Sequence, residues 1–236
     1  MRSLTVELDA LPSLRDAMGA MDVDLAAAAA LAELAGAHAV RLGVNPDLKP
    51  VCEEDLRDTR RAARRFELRM PPLESLVRVA LDARPDAVLL ASDRRDGRSA
   101  AGPLDFRTGA AGLTGVMRAF ADAGIGVAAL VAPTLDAVKT AHASGVSQVE
   151  LYTGALVDLP PAERSSALKQ LGDAARLAAK LQLGLGLAGG LGYRTLPEVI
   201  QAAPAAERIA VGRAAVMRAM LVGLDRALRD LRALLA

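Results

Sequence analysis

Two glycine-bearing strand ends carry the clearest chemistry in this chain: LGLGLAGGLGY, closing the apolar run Leu183–Ala188, and IAVGRAA, closing Ile209–Gly212. Each run stops in glycine and is followed by a helical pattern. Gly189, Gly190 and Gly212 let bare backbone N–H groups approach a ligand, and each following helix aims the positive end of its dipole at the same place. Arg213 adds a charge-assisted contact. Together they read as a cradle for the phosphate of a small molecule.

A second group is acidic and basic. Glu7 and Asp9 share one face of an extended run by period-two alternation, while Arg41, Glu67, Glu150 and Tyr152 fall on three further strand-like runs. Two alternatives stay open for them. A carboxylate in a buried mouth can have its pKa raised and serve as a general base, or Arg41 and Arg69 can pair with the acids in a static network.

The elements that position these residues recur at regular intervals. Strand-like runs are Leu4–Leu8, Ala39–Leu42, Phe66–Met70, Ala87–Ala91, Gly126–Val131, Gln148–Tyr152, Leu183–Ala188 and Ile209–Gly212. Between them lie helical patterns at Leu25–Ala37, Glu53–Arg65, Leu73–Ala83, Leu113–Ala123, Leu135–Ala143, Glu163–Leu181, Leu196–Ala203 and Ala214–Ala236. Such alternation predicts parallel strands with helical crossovers. The repeated junctions AGAHAVRL, ARPDAVLL, AGIGVAAL and SGVSQVEL favour one closed (β/α)8 TIM barrel over residues 1–236, with an open doubly wound sheet second. Pro12–Val23 interrupts the pattern as a loop or small extra helix on the top face.

In such a barrel the active site lies at the C-terminal ends of the strands, with phosphate held after strands 7 and 8. His38 and His142 precede strands 2 and 6, so both fall at the opposite face. Cys52 opens an acidic helix start, CEEDL, which disfavours a thiolate. Arg94, Arg95 and Arg98 follow strand 4 in a glycine-containing loop that could fold over an anion or be solvated surface. No Cys/His cluster or carboxylate spacing suggests a metal, and no cofactor is expected.

Composition narrows the partners. With 29 basic and 28 acidic residues interspersed and a net charge of +1, there is no sustained basic field for nucleic acid. The charge-free runs are too short to span a bilayer, the N-terminus lacks the apolar core of a secretory signal, and one cysteine fits a reducing cytoplasm. Leu224, Leu228, Leu231 and Leu235 recur at helical spacing, a core stripe or a subunit contact.

An ordered set of segments resembles the pyridoxine 5'-phosphate synthase family: VELDALPSLRDAMG near the start, FEL at Phe66–Leu68, GPLD at Gly102–Asp105, ADAGIGV, VELYTG at Val149–Gly154, LAGGLGY, and AVGRAAVMRAMLVGL near the end. The resemblance implies a barrel that condenses 1-deoxy-D-xylulose 5-phosphate with 3-amino-2-oxopropyl phosphate, and a homo-oligomer. Asp9, Arg15, Glu67, Glu150, Thr153, Gly154, Gly189 and Gly212 agree with the family pattern, so the resemblance implies ligand-binding positions at Arg15, Glu150, Thr153 and Gly154. The departures fall on chemistry. The family has Asn at Glu7, His at Ala10, Arg at Met18, its strand-2 histidine at Arg41, an arginine at Gly43, and histidines at Tyr152 and Arg213. Its histidine near Gly189–Gly190 is replaced or deleted. Of the acid/base set only Glu67 remains, and arginine stays protonated at neutral pH. The expectation is a family-like barrel that keeps a phosphate site while its synthase activity is impaired or lost. The alternative is a working synthase, or a related condensation, resting on Glu67 with substitute residues.

Overall fold

The computed structural model describes residues 2–19, 23–93, 101–106, 110–157 and 159–235. Eight strands alternate with helices: β1 (Ser3–Glu7), α1 (Ala10–Met18), α2 (Leu25–Leu34), β2 (Ala39–Gly43), α3 (Glu53–Ala62), β3 (Phe66–Met70), α4 (Glu74–Ala83), β4 (Ala87–Leu90), α5 (Ala110–Asp122), β5 (Gly126–Val131), α6 (Leu135–Ala143), β6 (Gln148–Tyr152), α7 (Pro161–Lys180), β7 (Gly184–Ala188), α8 (Leu196–Ala202), β8 (Arg208–Val211), α9 (Arg213–Val222) and α10 (Leu224–Ala233). All neighbouring strands pair in parallel, and β8 returns to β1 with Val6 opposite Val211, closing the barrel. The arginines expected after strand 4, Arg94, Arg95 and Arg98, lie outside the described residues.

Alternation along the strands divides the molecule. Outward positions such as Leu4, Val6, Leu42, Leu68, Leu90, Val131, Leu151 and Val211 are wholly or almost wholly buried against the helices. Each large side chain there contributes about 1.5–3 kcal/mol relative to exposure. Inward positions carry Glu7, Arg41, Glu67, Arg69 and Glu150 on one side of the lumen, and Leu89, Ala128, Leu130, Ala188 and Ala210 on the other. Buried ion pairs add little net stability, so the apolar shell holds the barrel and the lumen is available for chemistry.

One expected helix differs, and one open expectation resolves to a small extra helix. The segment expected as one helix from Ala214 to Ala236 is two, because Gly223 sits at φ 81, ψ 156 and breaks the backbone hydrogen-bond ladder between α9 and α10. The Pro12–Val23 stretch is largely α1, which begins earlier, at Ala10, and stops where Gly19 adopts the left-handed conformation at φ 62. Helix starts follow from their side chains: Asp24 accepts from Ala27 N–H at 2.9 Å at the head of α2, and Thr134 does the same for α6 through Ala137 N–H at 3.2 Å.

Candidate functional site

Strands β1, β2, β3 and β6, with Asp9 beyond the end of β1 at the head of α1 and so not on the strand face expected for it, bring four carboxylates and two arginines together inside the barrel. Arg41 lies at their centre. Its Nη2 donates to Glu67 Oε2 at 2.7 Å and to Glu150 Oε1 at 2.6 Å. Its Nη1 donates to Glu150 Oε2 at 2.8 Å and reaches Glu7 Oε1 at 3.4 Å. Arg69 extends the network upward, to Glu7 Oε1 at 2.9 Å and Asp9 Oδ2 at 3.0 Å, and Asp9 Oδ1 accepts from Gly43 N–H at 2.6 Å. Registers Glu7 opposite Arg41 and Arg41 opposite Glu67 set the charges side by side on adjacent strands, while Glu150 reaches Arg41 across the lumen.

The electrostatics follow from this pairing. Burial alone would raise the Glu7 carboxyl, but the guanidinium groups of Arg69 and Arg41 hold it below its ordinary value. Burial would likewise raise Glu67, and Arg41 above with Arg65 and Arg208 nearby hold it low. For Arg41 burial opposes the charge, yet Glu150 and Glu67 raise its pKa well above the ordinary arginine range. Of the two alternatives read from residue types, the geometry is that of the ion-paired network: Glu67 is 6 % exposed and engaged with Arg41. A carboxylate held ionised this firmly is a weak base.

Above the network opens a cavity of about 880 Å³. Of the residues singled out from sequence, Glu7, Asp9, Gly189, Gly190, Gly212 and Arg213 line it, whereas Arg41, Glu67 and Glu150 lie beneath it. Gly189 and Gly190 take positive φ, 95° and 67°, in the turn after β7, and Gly212 precedes the first turn of α9, headed by Arg213. The Arg213 and Ala214 N–H groups belong to that first helical turn, which has no intrahelical acceptors for them.

Three implied ligand positions have structural partners instead of a place on the cavity wall. Thr153 Oγ1 donates to the carbonyls of Ala188 at 3.1 Å and Gly189 at 2.5 Å, fixing the β7 turn. Gly154 lies against the Tyr152 ring, where any Cβ would overlap the hydroxyl; at Gly189 a Cβ would come within 2.6 Å of the same ring. Tyr152, 6 % exposed, therefore packs in the apolar half of the lumen. Arg15 on α1 makes a two-pronged pair with Asp55, at 2.7 and 2.9 Å, and donates to the Pro50 carbonyl at 2.8 Å. Asp55 in turn accepts from Cys52 N–H at 2.9 Å, completing a cap on α3 in which the Cys52 thiol also takes part.

Sequence reasoning missed Asn45 and Lys49, which line the cavity from the loop after β2. The signal was available, since a polar stretch directly after a barrel strand faces the site by the positional rule. His38 and His142 are exposed just before β2 and β6. Among the described residues no group of His, Cys, Asp and Glu is arranged to hold a metal ion, and no helix is long and apolar enough to cross a membrane.

The likeness to known proteins covers the whole barrel. The family model described as pyridoxal phosphate biosynthesis protein PdxJ matches residues 4–236. Pyridoxine 5'-phosphate synthase of Geotalea daltonii is 34% identical over 234 residues, covering 98% of this chain and 97% of the relative. That of Geobacter metallireducens is 34% identical over 233 residues with the same coverage. Among solved structures, a tryptophan synthase alpha-subunit from Pyrococcus furiosus superposes with a TM-score of 0.63 at 17% identity, covering 98% of each chain. Thiamine phosphate pyrophosphorylase from Pyrococcus furiosus gives 0.58 at 16%, covering 98% of this chain and 94% of that one. At those identities the structural likeness speaks for the fold alone. The family match over nearly every residue, with relatives above 30% identity along the full length, decides the matter: the chain belongs to the PdxJ family of pyridoxal phosphate biosynthesis proteins.

Proposed function

We propose that this chain, acting as one barrel domain, binds a phosphorylated small molecule in the 880 Å³ cavity, with the phosphate at Gly189, Gly190, Gly212 and Arg213. In the same reading the ring-closing condensation of its synthase relatives is impaired or lost. The observation that carries this reading is Arg41. It stands where the family has a histidine, and its guanidinium is held between Glu67 and Glu150. Proton transfer at that place would need a group that exchanges protons near neutral pH, which arginine does not. A positioned acid or base contributes on the order of 100- to 10,000-fold to such a step.

Phosphate binding asks only for the N–H groups of the glycine turns, the head of α9 and the charge of Arg213. Two further parts of the reading rest on exposure and composition. Met18, Met217, Met220 and Leu221 are exposed apolar side chains that suit a contact with a second copy, and a single cysteine, Cys52, suits a reducing cytoplasm.

The competing reading, an active synthase, is favoured by the naming of relatives 34% identical over 98% of the chain and by retention of Glu67. Complementation of a pyridoxine auxotroph separates the two. The expected result is no growth on this chain, together with calorimetric binding of pyridoxine 5'-phosphate by the purified protein. Growth would overturn the loss of activity, and no binding of any phosphate ester would overturn the retained site.

A further inference from the structure

The lower end of the lumen, at the N-terminal ends of the strands, holds a charged cluster that takes no part in lining the cavity. Arg208 opens β8. Because Ala210, two residues on, faces the lumen while Ile209 packs outward, alternation points Arg208 inward, and it points Gln148 inward below Glu150 in the same way. Arg208 Nη1 donates to Gln148 Oε1. Its Nε and Nη2 are buried with no hydrogen-bond partner among the described residues. Arg65, just before β3, has a buried Nε in the same condition, 3.5 Å from Glu67 Oε1 without hydrogen-bond geometry. Nε and Nη2 form one edge of a guanidinium and present two parallel N–H groups. Elsewhere in this chain that edge grips a carboxylate, in Arg164 with Glu198 and in Arg218 with Asp230. In Arg208 it is open.

We propose that Arg208, oriented by Gln148 and assisted by Arg65, binds a small oxyanion at the N-terminal end of the barrel, in a site separate from the cavity and independent of the function proposed above. A buried charged edge with no acceptor is unfavourable, and an ion that accepts from both N–H groups relieves the deficit. Two oxygens on one atom, as in sulfate, phosphate or a carboxylate, match the paired donors. The charges agree. Arg41, Arg65 and Arg208 bring three positive charges to the lower lumen, where Glu67 and Glu150 bring two negative ones. The other acids nearby are engaged or turned to solvent: Glu7 by Arg69 above, Asp86 by Arg60 and Phe66 N–H, Glu33 by the N–H groups of Arg64 and Arg65, while Glu207 is exposed. Arg2 only adds to the positive side, donating to the Pro204 carbonyl. Water could accept from the open edge but would leave the excess charge in place. Little side-chain volume closes this end: Ala87 and Gly126 stand opposite each other on β4 and β5, and a Cβ on Gly126 would meet only Ala87 Cβ, at 4.0 Å. The Arg65 side chain is 41% exposed, so it stands at the mouth through which an ion enters.

The test is calorimetric titration of the full chain with sulfate, formate and chloride at constant ionic strength, in the wild type, Arg213→Ala and Arg208→Lys. Sulfate is expected to bind at the lower site in the wild type and to keep that binding in Arg213→Ala, which removes charge only from the cavity. In Arg208→Lys the affinity should fall at least about tenfold, because lysine keeps the charge and loses the paired N–H groups. A formate response lost in the same variant would extend the site to carboxylates; sulfate alone would restrict it to tetrahedral ions, and either supports the proposal. Sulfate binding that survives Arg208→Lys unchanged, or that disappears in Arg213→Ala, would overturn the lower site and leave the cavity reading intact. Chloride binding as tightly as sulfate would overturn the two-oxygen match. Should Arg208→Lys not fold, wild-type crystals soaked in selenate decide the question together with the titration of Arg213→Ala: an anomalous peak on the Arg208 Nε and Nη2 edge is expected. No peak would overturn the proposal, and a peak without binding in solution, an adventitious ion only, would do the same.

Discussion

Replacing Arg41 by methionine keeps most of the side-chain volume and removes the charge at the centre of the lumen. Arg41 donates to Glu67, Glu150 and Glu7. Without it Glu7 keeps Arg69 at 2.9 Å and Glu67 keeps Arg65 at 3.5 Å, but Glu150, 2% exposed, loses both of its bonds to the guanidinium. Breaking a buried pair from one side costs about 3–5 kcal/mol, and the single stranded carboxylate at position 150 places Arg41→Met in that range at neutral pH. The sign of the pH dependence follows from linkage. In the wild type Glu7 and Glu67 titrate below their ordinary 4.5, so their contribution is present above that pH and is lost as pH falls through the folded values. In the variant Glu7 and Glu67 lose the Arg41 share of what offsets their burial, so both carboxyls move upward from their wild-type positions, and the folded form takes up protons as pH falls. The stability gap between the two proteins should therefore shrink from pH 7.5 to pH 4.5. Urea unfolding followed by far-ultraviolet circular dichroism at both pH values measures it. A gap under about 1 kcal/mol at pH 7.5, the size of an exposed pair, or a gap that stays constant or widens in acid, would refute the view of Arg41 as a buried counter-ion.

Three further outcomes are expected. Gly190→Ala should distort the β7 turn, because φ is 67° and the new Cβ would meet Val157 Cγ2 at 2.5 Å; a loss of about 1 kcal/mol or more in unfolding, with weakened phosphate-ester binding, would show it. Arg213→Ala should raise the Kd for 2-aminoethyl phosphate about tenfold, one charge-assisted contact, with a circular dichroism spectrum like that of the wild type; unchanged affinity would remove Arg213 from the site. Asp55→Asn should destabilise by about 1–3 kcal/mol, since Asp55 takes two bonds from Arg15 and one from Cys52 N–H. Its carboxyl is held low despite burial by Arg15 and Cys52, so this loss should fade as pH drops below the ordinary 3.8; thermal unfolding across acid pH would read it.

The strands were legible because short apolar runs sit between repeated junctions, and Phe66–Met70, Gly126–Val131 and Gln148–Tyr152 coincide with the structure residue for residue. Alternation also told which face each charged residue occupies. It could not tell which charges meet across the lumen: Arg41 and Glu150 are separated by 109 residues, and only closure of the sheet brings them together. The position of Glu67 beneath the cavity was hidden for the same reason, since depth along the barrel axis depends on strand stagger and leaves no mark in a period of two. The break at Gly223 was overlooked because one glycine within a helical pattern is usually tolerated. The folding of Tyr152 onto Gly154 and Gly189 joins two strand ends, a contact that local pattern does not encode.

Closure at the β1–β8 seam has a bearing on biosynthesis. Ser3 hydrogen-bonds Glu207, 204 residues away, and α10 packs against α2 over the same seam. While the ribosome is still making the middle of the chain, β1 has β2 on one edge and an open row of N–H and C=O groups on the other. An unpaired strand edge invites association with other chains, and contacts this distant form slowly because the loop they close is long. The nascent barrel is thus most vulnerable in the interval before Arg208–Val211 clears the exit tunnel, and a chaperone that shields the free edge of β1 during that interval would raise the yield of closed barrels without touching any residue of the cavity.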